Sequence, residues 1–464
     1  MAESVFTTET RLERRTCGEL MEYFHWYVTD FHRAKRYAWY RVVHCRGKIN
    51  KSKFNTELQN RFNIRKRTAN SIIYEVTGTY KALKELKQKE LKEKKEKISS
   101  LTKAIKKEKK ELDQLSLKAG DNLLNEQQLV CYRNKKRSLY YRKQKLQKTK
   151  DRYVQLSEDI RDGRYKLCFG TKQLFKAQYN LEENGYRSHE QWYRAFVRNR
   201  DKNVFYLGSK DEVSGNQMFS LFCNDNGTYT IRVRKDGRFD DKDNKYIYGI
   251  CTFSYMDPEI KRILKERNHP LSYRIKIRGK KVYLQVMFSI TPEERPIVTT
   301  GYNGVIGVDF NDGHLEVTET DRKGNLFDMW RYPLYFHGEG EKALNEIRTV
   351  IADLGDYASR KGKSIAIEKL SFEKKKAGVL KGKNEKGKKY NRMIHLLDYS
   401  RYTECMTNMC IRKGIELMFV DPAYTSQIAK QKYCDTRKIS VHNGAAYVIA
   451  RRAQGFKDRY QKES

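Results

Sequence analysis

Proline is scarce in this chain, six in 464 residues. So few helix breakers leave room for long helices and little material for rigid linkers. The nine cysteines are an odd number, and no two stand in a C-x-x-C pair. That spacing excludes a disulfide framework and a cysteine-type structural zinc; free thiols in a reducing cytoplasm are expected instead. No run approaches the roughly 18 consecutive apolar residues of a membrane span. The first residues, Met1-Ala-Glu-Ser-Val-Phe, have neither a basic segment nor an apolar core, so no signal peptide and no membrane partner are expected.

What is abundant is positive charge. Lys and Arg number 96 against 58 Asp and Glu, a formal charge of +38. Self-repulsion on that scale is relieved by a polyanion, so nucleic acid is the expected partner. The bland alternative is a basic surface that only keeps the protein soluble. Disorder is excluded by the 12% aromatic and 38% hydrophobic content, which is enough to build cores.

Residues 5–14 alternate and are β-branched, which predicts an opening strand. From Gly18 to about Arg46, Leu20, Phe24, Tyr27, Val28, Phe31, Ala34, Trp39 and Val42 recur at helical spacing. A further helical region follows over roughly 55–76. Residues 79–161 predict an antiparallel helical hairpin: Leu91, Ile98, Ile105 and Leu112 form one heptad seam, and Tyr132, Leu139, Leu146, Tyr153 and Ile160 a second. Gly120 and Asn122 have the capping chemistry of the turn between them. The lysine runs at 92–97 and 103–110 read either as a solvated coiled-coil face or as a nucleic-acid rail. Residues 186–200 predict one more basic aromatic helix. Strands are predicted at 203–207, 217–223, 228–234, 246–255, 272–278 and 281–290, a spacing that suggests a barrel or sandwich. Thr-Ile-Arg-Val-Arg and Tyr-Arg-Ile-Lys-Ile-Arg alternate apolar with cationic residues, giving one packing face and one positive face.

After Thr300 the periodicity changes. The stretch 302–310, Tyr-Asn-Gly-Val-Ile-Gly-Val-Asp-Phe, predicts a buried strand whose Gly304 and Gly307 admit another backbone closely. Asp309 falls where that strand meets a turn. Strands 314–320 and 324–331, helix 341–361, strand 364–369, helix 393–413, strand 415–420 and helix 441–453 follow. Three meandering strands and then α-β-α-β-α is the order of an RNase H-like α/β domain with a mixed sheet. In such a sheet the strands ending in Asp309 and Glu368 are neighbours. Two carboxylates in one partly buried site call for divalent cations between them, the arrangement of two-metal phosphodiester hydrolysis. The alternative is that each carboxylate pairs with a local Lys or Arg.

The segments Gly-Val-Ile-Gly-Val-Asp-Phe-Asn, Ile-Ala-Ile-Glu-Lys-Leu-Ser-Phe, Asp-Pro-Ala-Tyr-Thr-Ser-Gln and Val-His-Asn-Gly-Ala-Ala-Tyr-Val-Ile-Ala-Arg-Arg resemble the RuvC-type nuclease blocks of the TnpB family. These are insertion-sequence OrfB proteins, relatives of the type V CRISPR effectors. The motif resemblance covers 302–456. Over 203–290, with Leu207-Gly208-Ser209-Lys210, the chain is compatible with the family, and residues 1–200 match only its layout. The resemblance implies a multidomain α+β protein of a prokaryotic cytoplasm. Residues 1–17 would begin a wedge-type β-barrel, 18–200 form an inserted helical recognition lobe, 201–300 complete the barrel, and 301–464 form the RuvC domain. It implies a transposon-associated, RNA-guided DNA endonuclease using Mg²⁺ or Mn²⁺, with guide RNA and target DNA as partners.

Two departures from the family pattern matter. Its zinc ribbon is absent, because between Tyr424 and His442 the one cysteine is Cys434. Its third acid, at the start of the last helix, is replaced by Ser440-Val441-His442-Asn443, and no acid occurs from 436 to 457. His442 is then a neutral metal ligand, or Asp421 or Asp435 serves as third acid, or the site does not cut and leaves a guided DNA-binding protein. Asp421 equally reads as a cap before Pro422. Lys374, Lys375, Lys376, Lys381, Lys383, Lys388, Lys389 and Arg392 fill a loop after Glu368 and are expected to contact nucleic acid as a substrate lid; a simple solvated loop is the alternative. Arg451, Arg452 and Lys210 are further candidate phosphate contacts; for Arg451 and Arg452 local capping and pairing is the alternative. Monomer and dimer both remain open, since the hairpin can fold back or dimerise.

Overall fold

The computed structural model describes residues 4–120, 125–209, 216–241, 243–266, 269–290, 296–311, 313–334, 340–369 and 399–461. The chain divides into two compact units, Phe6–Phe288 and Ser289–Ser464 with Met1–Val5.

The first unit opens with β1 (Ser4–Leu12) and α1 (Arg14–His44), which buries Leu20, Phe24, Tyr27, Val28, Phe31, Ala34, Trp39 and Val42 at the spacing the sequence predicts. Helix α2 (Lys51–Phe62) starts where the Asn50 side chain accepts the Lys53 N–H, and stops at Asn63 in left-handed backbone. Helices α3 (Lys66–Gly120) and α4 (Glu126–Arg161) form the hairpin. Ion pairs Lys87–Asp159, Glu90–Arg152, Glu108–Arg142 and Glu111–Lys135 run in opposite order along the two helices, which makes them antiparallel. Leu101 of α3 and Leu139 and Leu156 of α4 are buried. The capping box of α4 is built on Asn125 and Gln128, three residues beyond the expected Asn122, which lies outside the described residues.

Short helix α5 (Lys172–Lys176) and helix α6 (His189–Arg200) lead into β2 (Asn203–Tyr206). Between α6 and β2, the buried Asp201 carboxylate accepts from Arg36 and Arg200. His32 beside it pairs Nε2 with the Asn203 carbonyl at 2.8 Å, so that nitrogen carries the proton. Burial, aided by Lys35, lowers the His32 imidazole to about 4.

Strands β3 (Phe219–Cys223), β4 (Tyr229–Arg234) and β5 (Tyr246–Cys251) form one sheet. Helix α7 (Asp257–Glu266) follows, and then β6 (Ser272–Arg278) and β7 (Lys281–Ile290) join β1 and β2 in the order β1-β7-β6-β2. The expected closed barrel does not form among the described residues. Strands β1 and β2 are opposite edges of one open sheet, and β3–β5 pair with one another through local hairpins instead of bridging those edges. The sequence reading also missed α7, whose ten residues bury only Ile260 and Ile263.

The second unit contains β8 (Thr300–Asn311), β9 (His314–Thr320), β10 (Leu326–Pro333), α8 (Gly340–Lys361), β11 (Lys363–Glu368), α9 (Tyr399–Lys413), β12 (Leu417–Val420) and α10 (Val441–Ala453). Its sheet runs β10-β9-β8-β11-β12, antiparallel through the meander and parallel from β8 to β12. Alternation along the strands sorts two faces. Ile306, Val308, Ile365, Ile367 and Leu417 pack against Ile351 and Leu354 of α8 and Met406 and Cys410 of α9. Val305, Ala366 and Val420 pack against Ile449 and Ala450 of α10.

Candidate active site

Parallel strands end together, so residues just past a register pair share one edge of the sheet. Val308 pairs with Ile367, and Asp309 and Glu368 are the next residues on each strand. Glu368 pairs in turn with Val420, the last residue of β12 before Asp421. Asp309 lies two residues past Gly307, and Glu368 two past Ala366. Both positions therefore fall on the α10 face.

Gly307 explains how α10 reaches that face. A Cβ there would stand 2.1 Å from the Ala446 carbonyl oxygen and 2.7 Å from the Ala450 nitrogen, so the helix backbone rests directly on strand β8. From that contact, two strand residues and four helix residues each cover about 6–7 Å. They end at Asp309 and His442. Asp309 Oδ2 and His442 Nδ1 stand 3.4 Å apart, with the carboxylate mostly buried and the imidazole half exposed. The Ser440 hydroxyl accepts from Asn443 N–H and fixes where the helix begins. Hydrogen bonding to the Asp309 carboxylate raises the His442 imidazole above its ordinary range, against half-burial and the charge of Arg331.

The antiparallel partner strand adds groups that the sequence reading did not single out. Asp309 is directly opposite Glu316, and Asn311 opposite His314. Glu316 is 1% exposed, and Arg331 on β10 donates its Nε–H to it at 2.7 Å. His314 Nε2 lies 3.7 Å from the same carboxylate oxygen, and its ring meets His442 edge to face at 5.3 Å. Burial first, then Arg331, lowers the His314 imidazole. Asn311 Nδ2 donates to Asp309 Oδ2 at 2.9 Å. His442 thus sits between the carboxylate of Asp309 and the ring of His314.

Glu368 is held differently. The buried Thr425 hydroxyl donates to its Oε1 at 2.7 Å, after Tyr424 turns the chain through left-handed backbone. Asp421 is exposed and its Oδ1 accepts from Ala423 N–H at 3.0 Å, the capping alternative. Arg452 donates to the carbonyls of Asp421 and Ala423. Arg451 donates to Asp458 Oδ2 at 2.9 Å and to the Gly324 carbonyl at 2.9 Å, and lies 4.2 Å over the Phe456 ring. Both arginines are engaged in local pairing. Asp435 is exposed and begins the short helix Asp435–Arg437. Lys210, Lys374, Lys375, Lys376, Lys381, Lys383, Lys388, Lys389 and Arg392 lie outside the described residues.

Part of the chain is similar in structure to RuvC. The Thermus thermophilus RuvC structure matches with a TM-score of 0.23 and 13% identity, over 32% of this chain and 90% of that one. T. thermophilus RuvC in complex with Holliday junction substrate matches with a TM-score of 0.23 and 14% identity, over 32% of this chain and 89% of that one. No family model and no curated protein matches the chain.

Two carboxylates on adjacent strand ends, with an imidazole beside one of them, form a donor set suited by type to Mg²⁺ or Mn²⁺. Asp309 and Glu368 fit such an ion by the chemistry of their carboxylates, and they end neighbouring strands. Among the described residues, no three ligating side chains already stand together as a metal group.

Proposed function

We propose that the chain is a RuvC-type, RNA-guided DNA endonuclease in which Asp309 and Glu368 hold the divalent cation. The observation that carries this reading is the placement of both carboxylates at neighbouring ends of parallel strands, on the face where α10 brings His442. A cation held by Asp309 and Glu368 would supply Lewis-acid chemistry for phosphodiester hydrolysis. Asn311 orients the Asp309 carboxylate, and Thr425 orients Glu368. With Nδ1 of His442 engaged by Asp309, Nε2 is the nitrogen a phosphate or an ion would meet. RNA guidance is supported by the motif resemblance over 302–456 and by the formal charge of +38.

A second reading, a guided DNA-binding protein without cleavage, is favoured by one observation: the acid-free stretch 436–457 on the helix that faces Asp309. Sequencing the RNA that copurifies tests what the two readings share. A discrete short RNA supports guidance, and a heterogeneous mixture contradicts it.

A further inference from the structure

The three-stranded sheet of the first unit has one covered and one open face. The register pairs Leu221 with Ile231 and Ile231 with Gly249, and places Phe219 opposite Val233 and Val233 opposite Ile247. These residues face inward. Phe219 stacks on Tyr273 at 4.4 Å, and a Cβ at Gly249 would stand 2.8 Å from the Cys17 sulfur of α1. The alternate residues share the other face: Phe222, Tyr248 and Ile250 are exposed, Thr230, Arg232, Arg234 and Tyr246 are half-buried, and Ser220 is buried.

No outward position carries an acid, and three carry aromatic rings. Tyr248 is 57% exposed and Phe222 37%. The Arg232 guanidinium lies 5.0 Å from the ring centres of both Phe222 and Tyr246, and Arg234 lies 5.9 Å from Tyr246. Arg232 reaches Ser220 Oγ at 3.4 Å, and among the described residues neither arginine has a carboxylate within ion-pair distance. The guanidiniums therefore lie beside the rings, and among the described residues no carboxylate pairs with them. Tyr246 and Tyr248 follow each other along β5 with ring centres 6.5 Å apart.

We propose that this face of β3–β5 is a stacking platform for single-stranded nucleic acid. Exposed rings offer their faces to bases, and arginines offer both a stacking plane and a charge for phosphates. Duplex bases are already stacked on one another, so a flat sheet cannot reach their faces; splayed single-stranded bases can be stacked. An apolar protein partner would want a ring patch without uncompensated arginines. The proposal stands whether or not Asp309 and Glu368 cut.

The test is fluorescence anisotropy of the full chain with labelled oligo-U, oligo-dT and a short duplex over a salt series. Tyr248→Ala and Phe222→Ala should each weaken both single strands by about tenfold or more, leave duplex affinity unchanged, and leave the salt slope unchanged. Tyr248→Phe should retain wild-type affinity. Arg232→Gln should reduce the slope of log K against log salt by about one. A thermal midpoint for each variant guards against misfolding, and halogenated-uridine crosslinking of the wild type should map to Tyr248 or Phe222. Unchanged single-strand affinity in the folded alanine variants would overturn the proposal. So would an equal loss for duplex, or crosslinks confined to other elements. A preference between oligo-U and oligo-dT would identify which single strand the platform takes.

Discussion

The carboxylate of Asp309 and the imidazole of His442 meet at 3.4 Å, one from the end of β8 and the other from the first turn of α10. Asp309 is the main cause of the raised His442 pKa. Asp309→Asn should therefore lower the His442 midpoint in an NMR titration of the metal-free protein. An unchanged midpoint would place the two side chains apart in solution.

Gly307 is the contact on which that meeting depends. Gly307→Ala puts a methyl group 2.1 Å from the Ala446 oxygen, where neither backbone can yield easily. The expected cost is about 2–3 kcal/mol, as for overpacking of a tight core. Denaturant unfolding reads it directly, and a variant as stable as wild type would contradict the packing described here.

Glu316 and Arg331 form a lopsided pair, with the carboxylate side chain 1% and the guanidinium side chain 54% exposed. Removing Arg331 leaves a buried acceptor without its donor, so Arg331→Met should cost roughly 2 kcal/mol after allowance for the exposed partner. Adding Glu316→Gln should recover part of that loss, because the buried charge is gone. A double variant no better than the single one would show that charge is not what Arg331 offsets.

His32 gives a pH dependence in the other unit. Its folded-state pKa of about 4 lies below the ordinary 6.5, so the unfolded chain takes up a proton that the folded chain refuses. The sign follows from linkage: this contribution to stability is full above 6.5, declines as pH falls from 6.5 to 4, and is spent below that. The span is worth roughly 3 kcal/mol. Unfolding midpoints across that range should fall more steeply in wild type than in His32→Gln, which keeps a donor for the Asn203 carbonyl. Parallel curves would mean that His32 titrates normally.

Much of this architecture is legible in the sequence because its signals are local. The hydrophobic run before Asp309 and the shorter one before Glu368 announce buried parallel strands that end on carboxylates. The heptads of α3 and α4 announce the hairpin. What stayed hidden depends on register or on distant partners. Asp312-Gly313 is a two-residue hairpin signal in the sequence and implies Asn311 opposite His314, and hence Asp309 opposite Glu316, the register observed. Arg331 is different, because nothing near it in sequence says that its guanidinium crosses from β10 to Glu316. The local engagement of Arg451 and Arg452 likewise rests on Asp458 and on backbone carbonyls that only the folded chain brings to them. The open sheets replace the expected barrel because strand spacing shows hairpins, not which edges close.

The measurement that tests the central claim most directly is cleavage of a plasmid matched to the copurifying RNA. Wild type, Asp309→Ala, Glu368→Ala and His442→Ala would be compared with Mg²⁺ or Mn²⁺ and with chelator, while guided binding is followed in parallel. Cutting by wild type that needs the cation and is lost in Asp309→Ala and Glu368→Ala, with binding intact, is the predicted result. Loss in His442→Ala as well would add that imidazole to the site. Wild type that binds the matched plasmid and never cuts it, or cutting that survives in Asp309→Ala, would contradict the account.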